Sequence, residues 1–354
     1  VPATGGHRDS ERSGVMVDLA TLAEVLACPE CADRLRPEAA PAGYECIGCA
    51  RRYPVIGEVP VLLRDRHAAD VQRAFSAQWQ LRREGRFEAA GEVYHAPHDA
   101  RADVYEQRLR PVLETAAPGS WIVDAGCGSG ELIAVLAGRY PHLRFIGLDF
   151  TDSVFAAASA ARAHRNLIYL QADVSRAPFR AGSVLAAASF GVLHHTPDTR
   201  TAFSSLAGCI AEDGMLSIWL YPNPGDLHLA ERRVRLAYRA YYATRDYLFL
   251  GRGHRLRPSL LLWLLRLLLA PVLLLPTGRV TQHSDGSRSR TYHSLVFAMF
   301  DGLAPAYQHR PPRRDVVDWY RACGFSRIVA GPVSDRIPHT LGSFSGRRCV
   351  AERV

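Results

Sequence analysis

The chain contains no lysine: all 43 of its basic side chains are arginine. Beside the abundant alanine, that bias points to GC-rich coding. The formal charge of +8 and pI near 9.2 would ordinarily raise nucleic-acid binding. Here the arginines are dispersed, and the densest groups, Arg232-Arg233-Val234-Arg235 and the stretch from Arg310 to Arg314, read as solvated faces before phosphate contacts. A long uninterrupted apolar run is missing too. A membrane-spanning helix needs about 20 apolar residues, whereas the richest stretch, 259–276, is shorter and carries Arg266 and Pro271 inside it. No span is therefore expected. Internal repeats and a secretory leader are also lacking, so a cytoplasmic setting is expected. With 354 residues, 48% of them hydrophobic, the chain can bury a large core, enough for one elaborated domain and a small module.

What is present concentrates in Val123-Asp124-Ala125-Gly126-Cys127-Gly128-Ser129-Gly130, a glycine-rich loop that leaves the apolar strand 121–123 and opens a helical run over 131–139. Such a strand-to-helix turn must reach positive φ and bring bare backbone against a ligand, which a Cβ would obstruct. Dinucleotide sites use G-x-G-x-x-G, but these glycines alternate as G-x-G-x-G after Asp124, which argues against NAD or FAD. A second strand, 144–148, ends in Asp149-Phe150, where an acid can hold both hydroxyls of a ribose. A third, 167–170, runs into Gln171-Ala172-Asp173-Val174, whose carboxylate can accept from an adenine amino group while the valine covers the ring. A fourth, 184–189, ends in Phe190-Gly191-Val192-Leu193-His194-His195, and a fifth, 215–220, follows a helix and the turn Glu212-Asp213-Gly214. This alternation predicts an α/β fold built on a doubly wound, mostly parallel sheet.

Residues 105–221 resemble a class I S-adenosylmethionine-dependent methyltransferase, through the combination D-x-G-x-G-x-G, L-D, A-D-V and G-V-L-H-H rather than any one piece. The resemblance implies a Rossmann-like sheet of seven strands, the last two antiparallel, for which 327–330 and 347–352 are the candidates after a helix ending at Gly324. It implies S-adenosyl-L-methionine as cofactor. Gly126, Gly128 and Gly130 would approach its methionine part, Asp149 its ribose, and Asp173 with Val174 its adenine; Asp124, Cys127, Phe150, Phe190 and Gly191 complete the expected cofactor set. The competing reading is a nucleotide-free domain whose glycines only make turns.

Methyl transfer from a sulfonium is an in-line displacement in which alignment and a dry cavity do most of the work. A hydroxyl or protonated amine acceptor also needs a base, and histidine titrates in the useful range. His194 and His195 fall at the carboxyl end of the fourth strand, where open α/β sheets bind ligands; His195 is the favoured base, with loop packing or helix capping as the alternative for both. Tyr94 and Tyr105, from a helical segment over 71–113, and Tyr221, after the fifth strand, are candidates to face the acceptor, the first two competing with a role in core packing.

Near the N-terminus, Cys28-Pro29-Glu30-Cys31 is followed by Cys46-Ile47-Gly48-Cys49. Two C-x-x-C knuckles suit a tetrahedral Zn2+ site, structural because protein would fill all four positions. Two disulfides are the alternative, and the remaining cysteines, Cys127, Cys209, Cys323 and Cys349, have no pairing pattern. The flanking Arg52 to Leu62 resembles a short zinc-ribbon module related to the small activator subunit of RNA and protein methyltransferases. The expected organisation is a disordered 1–16, a zinc ribbon over 17–66, a helical cap over 67–115, a methyltransferase core over 116–223, a mostly helical lid insertion over 224–310, and a C-terminal helix and strands over 311–354. A greasy lid favours a bulky, largely apolar small-molecule acceptor of secondary-metabolite type. Alternatives are an rRNA or tRNA methyltransferase using the ribbon for recognition, and a non-catalytic cofactor-binding or partner-recruiting protein. For the leucine-rich insertion the lid is the favoured reading, with a homodimer interface or a membrane-surface contact as the alternatives. Residues 300–308, including Tyr307 and Gln308, resemble a segment of ribbon-bearing relatives and carry no assigned chemistry.

Overall fold

The structure is a computed structural model that describes residues 18–63, 69–86, 92–93, 96–223, 225–226, 236, 243, 257–271, 288–331 and 343–348. Its organising feature is period-two alternation along fully buried strands. In β7 (Trp121–Ala125), β8 (Arg144–Asp149) and β10 (Val184–Phe190), the residues Ile122, Phe145 and Ala186 pack on one face, and Val123, Ile146 and Ala187 on the other. The first face takes α3 (His98–Leu113), α4 (Glu131–Arg139) and α5 (Ser153–Ala160) through Leu109, Ile133, Leu136 and Val154. The second takes α6 (Thr199–Cys209) and α9 (Arg313–Ala322) through Phe203, Leu206, Val316 and Tyr320. With β9 (Leu167–Ala172) and β11 (Ile210–Trp219), these strands run parallel in the order β9-β8-β7-β10-β11.

The sheet is wider than seven strands. Its order is β1-β2-β3-β4-β9-β8-β7-β10-β11-β13-β12, with β12 (Phe325–Ala330) and β13 (Ser343–Arg348) antiparallel at one edge. At the other edge lie β1 (Leu35–Ala39), β2 (Ala42–Cys46), β3 (Arg52–Ile56) and β4 (Val59–Leu62) from the cysteine-bearing module. β4 pairs in parallel with β9, Val61 opposite Gln171 and Leu62 opposite Ala172. An uncovered β9 would expose a row of unpaired backbone groups, and the module supplies its partner. The module's core is likewise continuous with the sheet: Leu22 of the short helix α1 (Leu19–Ala23) and Leu26 just after it join Tyr44, Tyr53 and Leu62 in one cluster with Leu170 and Phe179. A separate small ribbon beside a seven-stranded core is thus corrected to one eleven-stranded mixed sheet.

Two strand positions also differ from expectation. The turn at Glu212-Asp213-Gly214 lies inside β11 as a bulge: pairing jumps from Val184–Ile210 to Ala186–Met215, with Asp213 at φ 60°. The last described strand is 343–348, beginning four residues before the expected 347–352, of which 349–352 lie outside the described residues; Ser343 stands opposite Trp219 and Arg347 opposite Met215. Gly346 explains the register. Tyr320 of α9 lies flat on it, and the Tyr320 hydroxyl donates to the carbonyls of Leu216 and Phe344 at 3.1 and 3.3 Å. A Cβ at Gly346 would sit 2.4 Å from the Tyr320 ring. Gly346→Ala is therefore expected to destabilise the protein by about 1–3 kcal/mol, as overpacking of a fixed ring does; urea unfolding of the two proteins checks this.

The segment expected to be a helical cap yields α2 (Ala69–Arg83) and α3, with the two-residue strands β5 (Glu92–Val93) and β6 (Ala96–Pro97) between them. The leucine-rich stretch forms α7 (Pro258–Leu269), which buries Leu261, Leu262 and Leu265 against Tyr292, Val296, Phe297 and Phe300 of α8 (Arg288–Leu303). Among the described residues, no helix is long and apolar enough to cross a membrane. The N-terminal stretch 1–16 and most of 224–256 lie outside the described residues.

Candidate active site

Because β7 to β10 are parallel neighbours, their carboxyl ends lie along one edge, and there the sheet gathers the loop 126–130, Asp149, Asp173 and the two histidines. Gly126, Gly128 and Gly130 all have positive φ, 90°, 57° and 79°. Each also lies against a side chain: an added Cβ would come within 2.2 Å of Val192, 2.3 Å of Trp79 and 2.6 Å of Tyr169 respectively. The glycines were expected to admit a ligand; in this structure they also admit a valine, an indole and a phenol. The Tyr169 hydroxyl donates to the Gly130 carbonyl at 3.0 Å.

Asp149 is the organising acid. It is 6% exposed, and accepts from Gly128 N at 2.9 Å, Thr151 N at 2.9 Å and Thr151 Oγ1 at 2.7 Å. Ser153 Oγ, bonded to Thr151 Oγ1 at 2.6 Å, in turn donates to the Gly128 carbonyl at 2.7 Å. The end of β8 thereby fixes the middle of the loop from β7. Burial holds the Asp149 carboxyl above its ordinary value, against the lowering effect of those hydrogen bonds. Asp124 is also buried. Burial and these two acids push the Cys127 thiol well above its usual range, so it is a neutral thiol at pH 7. Tyr105 is pushed up likewise, by burial and by Asp124. Its ring meets Phe190 edge-on at 4.8 Å, and Arg108 covers the same phenyl ring. Asp173 accepts from Ser175 N at 2.8 Å and caps the short turn Val174–Arg176, with Val174 buried. Gly191 turns at φ 78° and donates to the Trp219 carbonyl at 3.0 Å.

The histidines sit in a cluster of rings. His194 is fully buried, with centroids 4.1 Å from both His195 and Tyr221 and 6.0 Å from Trp219. His195 meets Phe75 at 5.1 Å and Tyr221 at 5.5 Å. Its Nδ1 lies 2.9 Å from the Tyr307 carbonyl. A carbonyl only accepts, so Nδ1 carries the proton in that contact and Nε2 holds the lone pair of the neutral ring. Tyr307 thus acts through its backbone.

Several site residues carry no motif. Gln72, Phe75, Trp79 and Arg82 share one face of α2. Gln72 donates to the Phe150 carbonyl at 2.9 Å, Trp79 covers Gly128, and Arg82 reaches Ser129 Oγ at 2.6 Å and Glu131 at 3.0 Å. Asp301, a buried acid on α8, accepts from the Tyr221 hydroxyl and from Gln78 Nε2 at 2.9 Å. One signal was legible: Gly147 stands opposite Tyr169 across β8 and β9, and a glycine inside a strand marks close approach of another group. Tyr94 lies outside the described residues.

At the other end of the sheet, the Sγ atoms of Cys28, Cys31, Cys46 and Cys49 lie within 4.8 Å of one another. The two knuckles repeat one geometry. Ala32 N donates to Cys28 O at 2.8 Å and Ala50 N to Cys46 O at 3.0 Å, with Ala32 and Ala50 at φ 63° and 57°. Glu30 N and Cys49 N point at the Sγ atoms of Cys28 and Cys46. The contacts Cys28–Cys49 at 3.7 Å and Cys31–Cys46 at 3.4 Å are far longer than a disulfide of about 2.05 Å. All four are free cysteines, and two disulfides do not describe the cluster.

Residues 123–218 match the methyltransferase domain family. Over 103 residues the chain is 34% identical to an uncharacterized methyltransferase of Mycobacterium bovis, covering 29% of this chain and 51% of that protein. Over 136 residues it is 32% identical to a trans-aconitate 2-methyltransferase of Methylobacterium radiotolerans, covering 37% of this chain and 49% of the relative. The chain thus spans about half the length of these relatives. Among solved structures, magnesium protoporphyrin IX methyltransferase of Synechocystis PCC 6803 superposes with a TM-score of 0.46 at 17% identity, over 80% of this chain and all of that one. Residues 123–218 thus form a stretch that matches a methyltransferase domain, and it is over that stretch that the chain is similar to these methyltransferases.

Proposed function

We propose that this chain transfers a methyl group from S-adenosyl-L-methionine to a bulky, largely apolar small molecule, with His195 as general base. The observation that carries the reading is His195 itself: a ring held in one tautomer by the Tyr307 carbonyl at 2.9 Å, packed against Phe75 and Tyr221, at the strand edge that also holds the glycine loop. The cofactor, when bound, supplies an electrophilic methyl on a positively charged sulfur. The site suits such a cation, because the buried Asp124 and Asp149 impose a negative field on the loop, as the raised thiol of Cys127 registers. Asp149 would hold the ribose hydroxyls and Asp173 the adenine amino group, with Val174 over the ring. Gly126 to Gly130 would face the methionine part, with α2 as a cover through Trp79 and Arg82.

The chain's own residues supply alignment and proton removal. The rings of Phe75, Trp219 and Tyr221 exclude water and offer an apolar wall for the acceptor. Tyr221 is anchored by Asp301, which ties the end of β11 to α8 and makes the α7–α8 pair a roof over the strand ends. His195 takes the acceptor proton on Nε2 while Nδ1–H stays on the Tyr307 carbonyl. His195→Ala is expected to lower turnover by about 10²–10⁴-fold, the range for loss of a general base, with cofactor affinity in calorimetry unchanged. Full activity would remove His195 from the role, and no binding of S-adenosylmethionine or its demethylated product would remove the enzyme reading altogether.

We also infer that Cys28, Cys31, Cys46 and Cys49 hold a structural Zn2+. A tetrahedron with Zn–S arms of about 2.3 Å has edges of about 3.8 Å, and the observed sulfur contacts of 3.4 and 3.7 Å are near that length.

A further inference from the structure

The two faces of α7 are both apolar, and among the described residues only one is packed against another element. Leu261, Leu262 and Leu265 pack against α8. On the opposite side, Leu260, Trp263, Leu264, Leu267 and Leu268 are between 41% and 69% exposed. Their spacing, i, i+3, i+4, i+7 and i+8, makes one continuous stripe. Scattered exposed leucines need no explanation, but a contiguous apolar stripe marks an interaction surface.

The charge of the sequence flanking the helix selects the occupant. From Tyr247 to Ser284 the sequence has no acidic residue, while it carries Arg252, Arg255, Arg257, Arg266 and Arg279. Arg257, exposed, immediately precedes the helix. An apolar helical face with a tryptophan, set in sequence of one positive sign, complements a lipid surface bearing negative headgroups.

We propose that the exposed face of α7 docks in the plane of an anionic membrane surface, without crossing it. The docked helix is one element from the candidate site: its buried face packs on α8, and α8 carries Asp301, the acceptor of the Tyr221 hydroxyl. On the methyl-transfer reading, on which this last step rests, an apolar acceptor would arrive from the lipid phase rather than from water.

The test is co-sedimentation of the full chain with vesicles of phosphatidylcholine alone and of an equimolar mixture with phosphatidylglycerol. The chain should pellet with the anionic vesicles, remain largely in solution with the neutral ones, and be released progressively by salt as surface attraction is screened. Leu264→Glu with Leu268→Glu should lower the partition coefficient by about tenfold or more, because both carboxylates would enter the headgroup boundary; Leu264→Ile with Leu268→Met should keep it. Affinity for S-adenosylmethionine should be the same in all three proteins. Wild-type protein that ignores both vesicle types, or binding untouched by the glutamates, overturns the proposal. So does a dimer in light scattering that the glutamates dissociate, since the stripe would then be a self-interface. Failure of cofactor binding in calorimetry would instead strike the methyl-transfer reading and leave the vesicle result standing.

Discussion

Asp149→Asn should lower affinity for S-adenosylmethionine by about 100-fold or more, while changing folding stability by no more than about 2 kcal/mol. On the proposed ribose role, the loss follows from replacing a charged acceptor with a neutral amide, at about 1.5–3 kcal/mol for each hydrogen bond to a charged group. The small stability change follows from the site's electrostatics. Burial holds the Asp149 carboxyl above its ordinary value, so folding favours its protonated form. That stabilisation is present below the unfolded value and is lost as pH rises through the folded one. Once ionised, the carboxylate is a charge that burial makes costly to the native state, and a neutral amide removes that cost. Against it stands one misplaced donor: the amide nitrogen would face either Gly128 N or the Thr151 pair, which now share the carboxylate. Calorimetric titration and urea unfolding of the same preparation separate the two effects. A protein that binds cofactor normally refutes the ribose role; one that fails to fold shows that Asp149 serves mainly to pin the loop.

What sequence reading could and could not see divides along physical lines. The loop 126–130, Asp149, Asp173 and the histidine pair were legible because each must stand at the carboxyl end of a parallel strand, and short apolar runs broken by glycine or acid locate those ends. The cysteine knuckles were legible from spacing. The cover of the site was not. Gln72, Trp79 and Arg82 act through a helix face that meets the strand ends only in three dimensions, and Asp301 reaches Tyr221 across 80 residues of sequence. The junction of the cysteine module with the sheet was hidden for a related reason. Val59-Pro60-Val61-Leu62 reads equally well as the last strand of a small ribbon or as an edge strand of a larger sheet, and the choice rests on the backbone need of β9 rather than on anything in those four residues. The register of β13 turned on the ring of Tyr320 lying over Gly346, again a contact between segments remote in sequence.

On the proposed zinc site, removing the metal should reach the cofactor site through that junction. Cys28→Ser, or prolonged chelation of the wild-type chain, is expected to abolish bound zinc and unfold β1 to β4. Structural zinc contributes about 10–16 kcal/mol of apparent binding free energy in small modules, more than a small apolar core of Leu22, Val25, Leu26, Leu35, Tyr44 and Tyr53 holds in reserve, and Cys28 and Cys46 are buried within that core. In an independent ribbon the damage would stop there. Here β4 is the hydrogen-bonded partner of β9, and Val61 and Leu62 pair with Gln171 and Ala172, the two residues before Asp173. Losing β4 bares the edge of β9 and loosens the strand end that positions Asp173 and Val174. Affinity for S-adenosylmethionine should then fall by about tenfold, a coupling of ordinary size between linked sites, although no module residue is assigned to the cofactor. Amide exchange should quicken in 168–172 and stay slow in 144–148, because β8 retains β7 on its other side. Metal analysis, exchange and calorimetry on one preparation decide the matter. A zinc-free protein with unchanged exchange in β9 would show that the module merely adjoins the sheet, whereas selective loosening of β9 would make the four cysteines a support of the adenine end of the site.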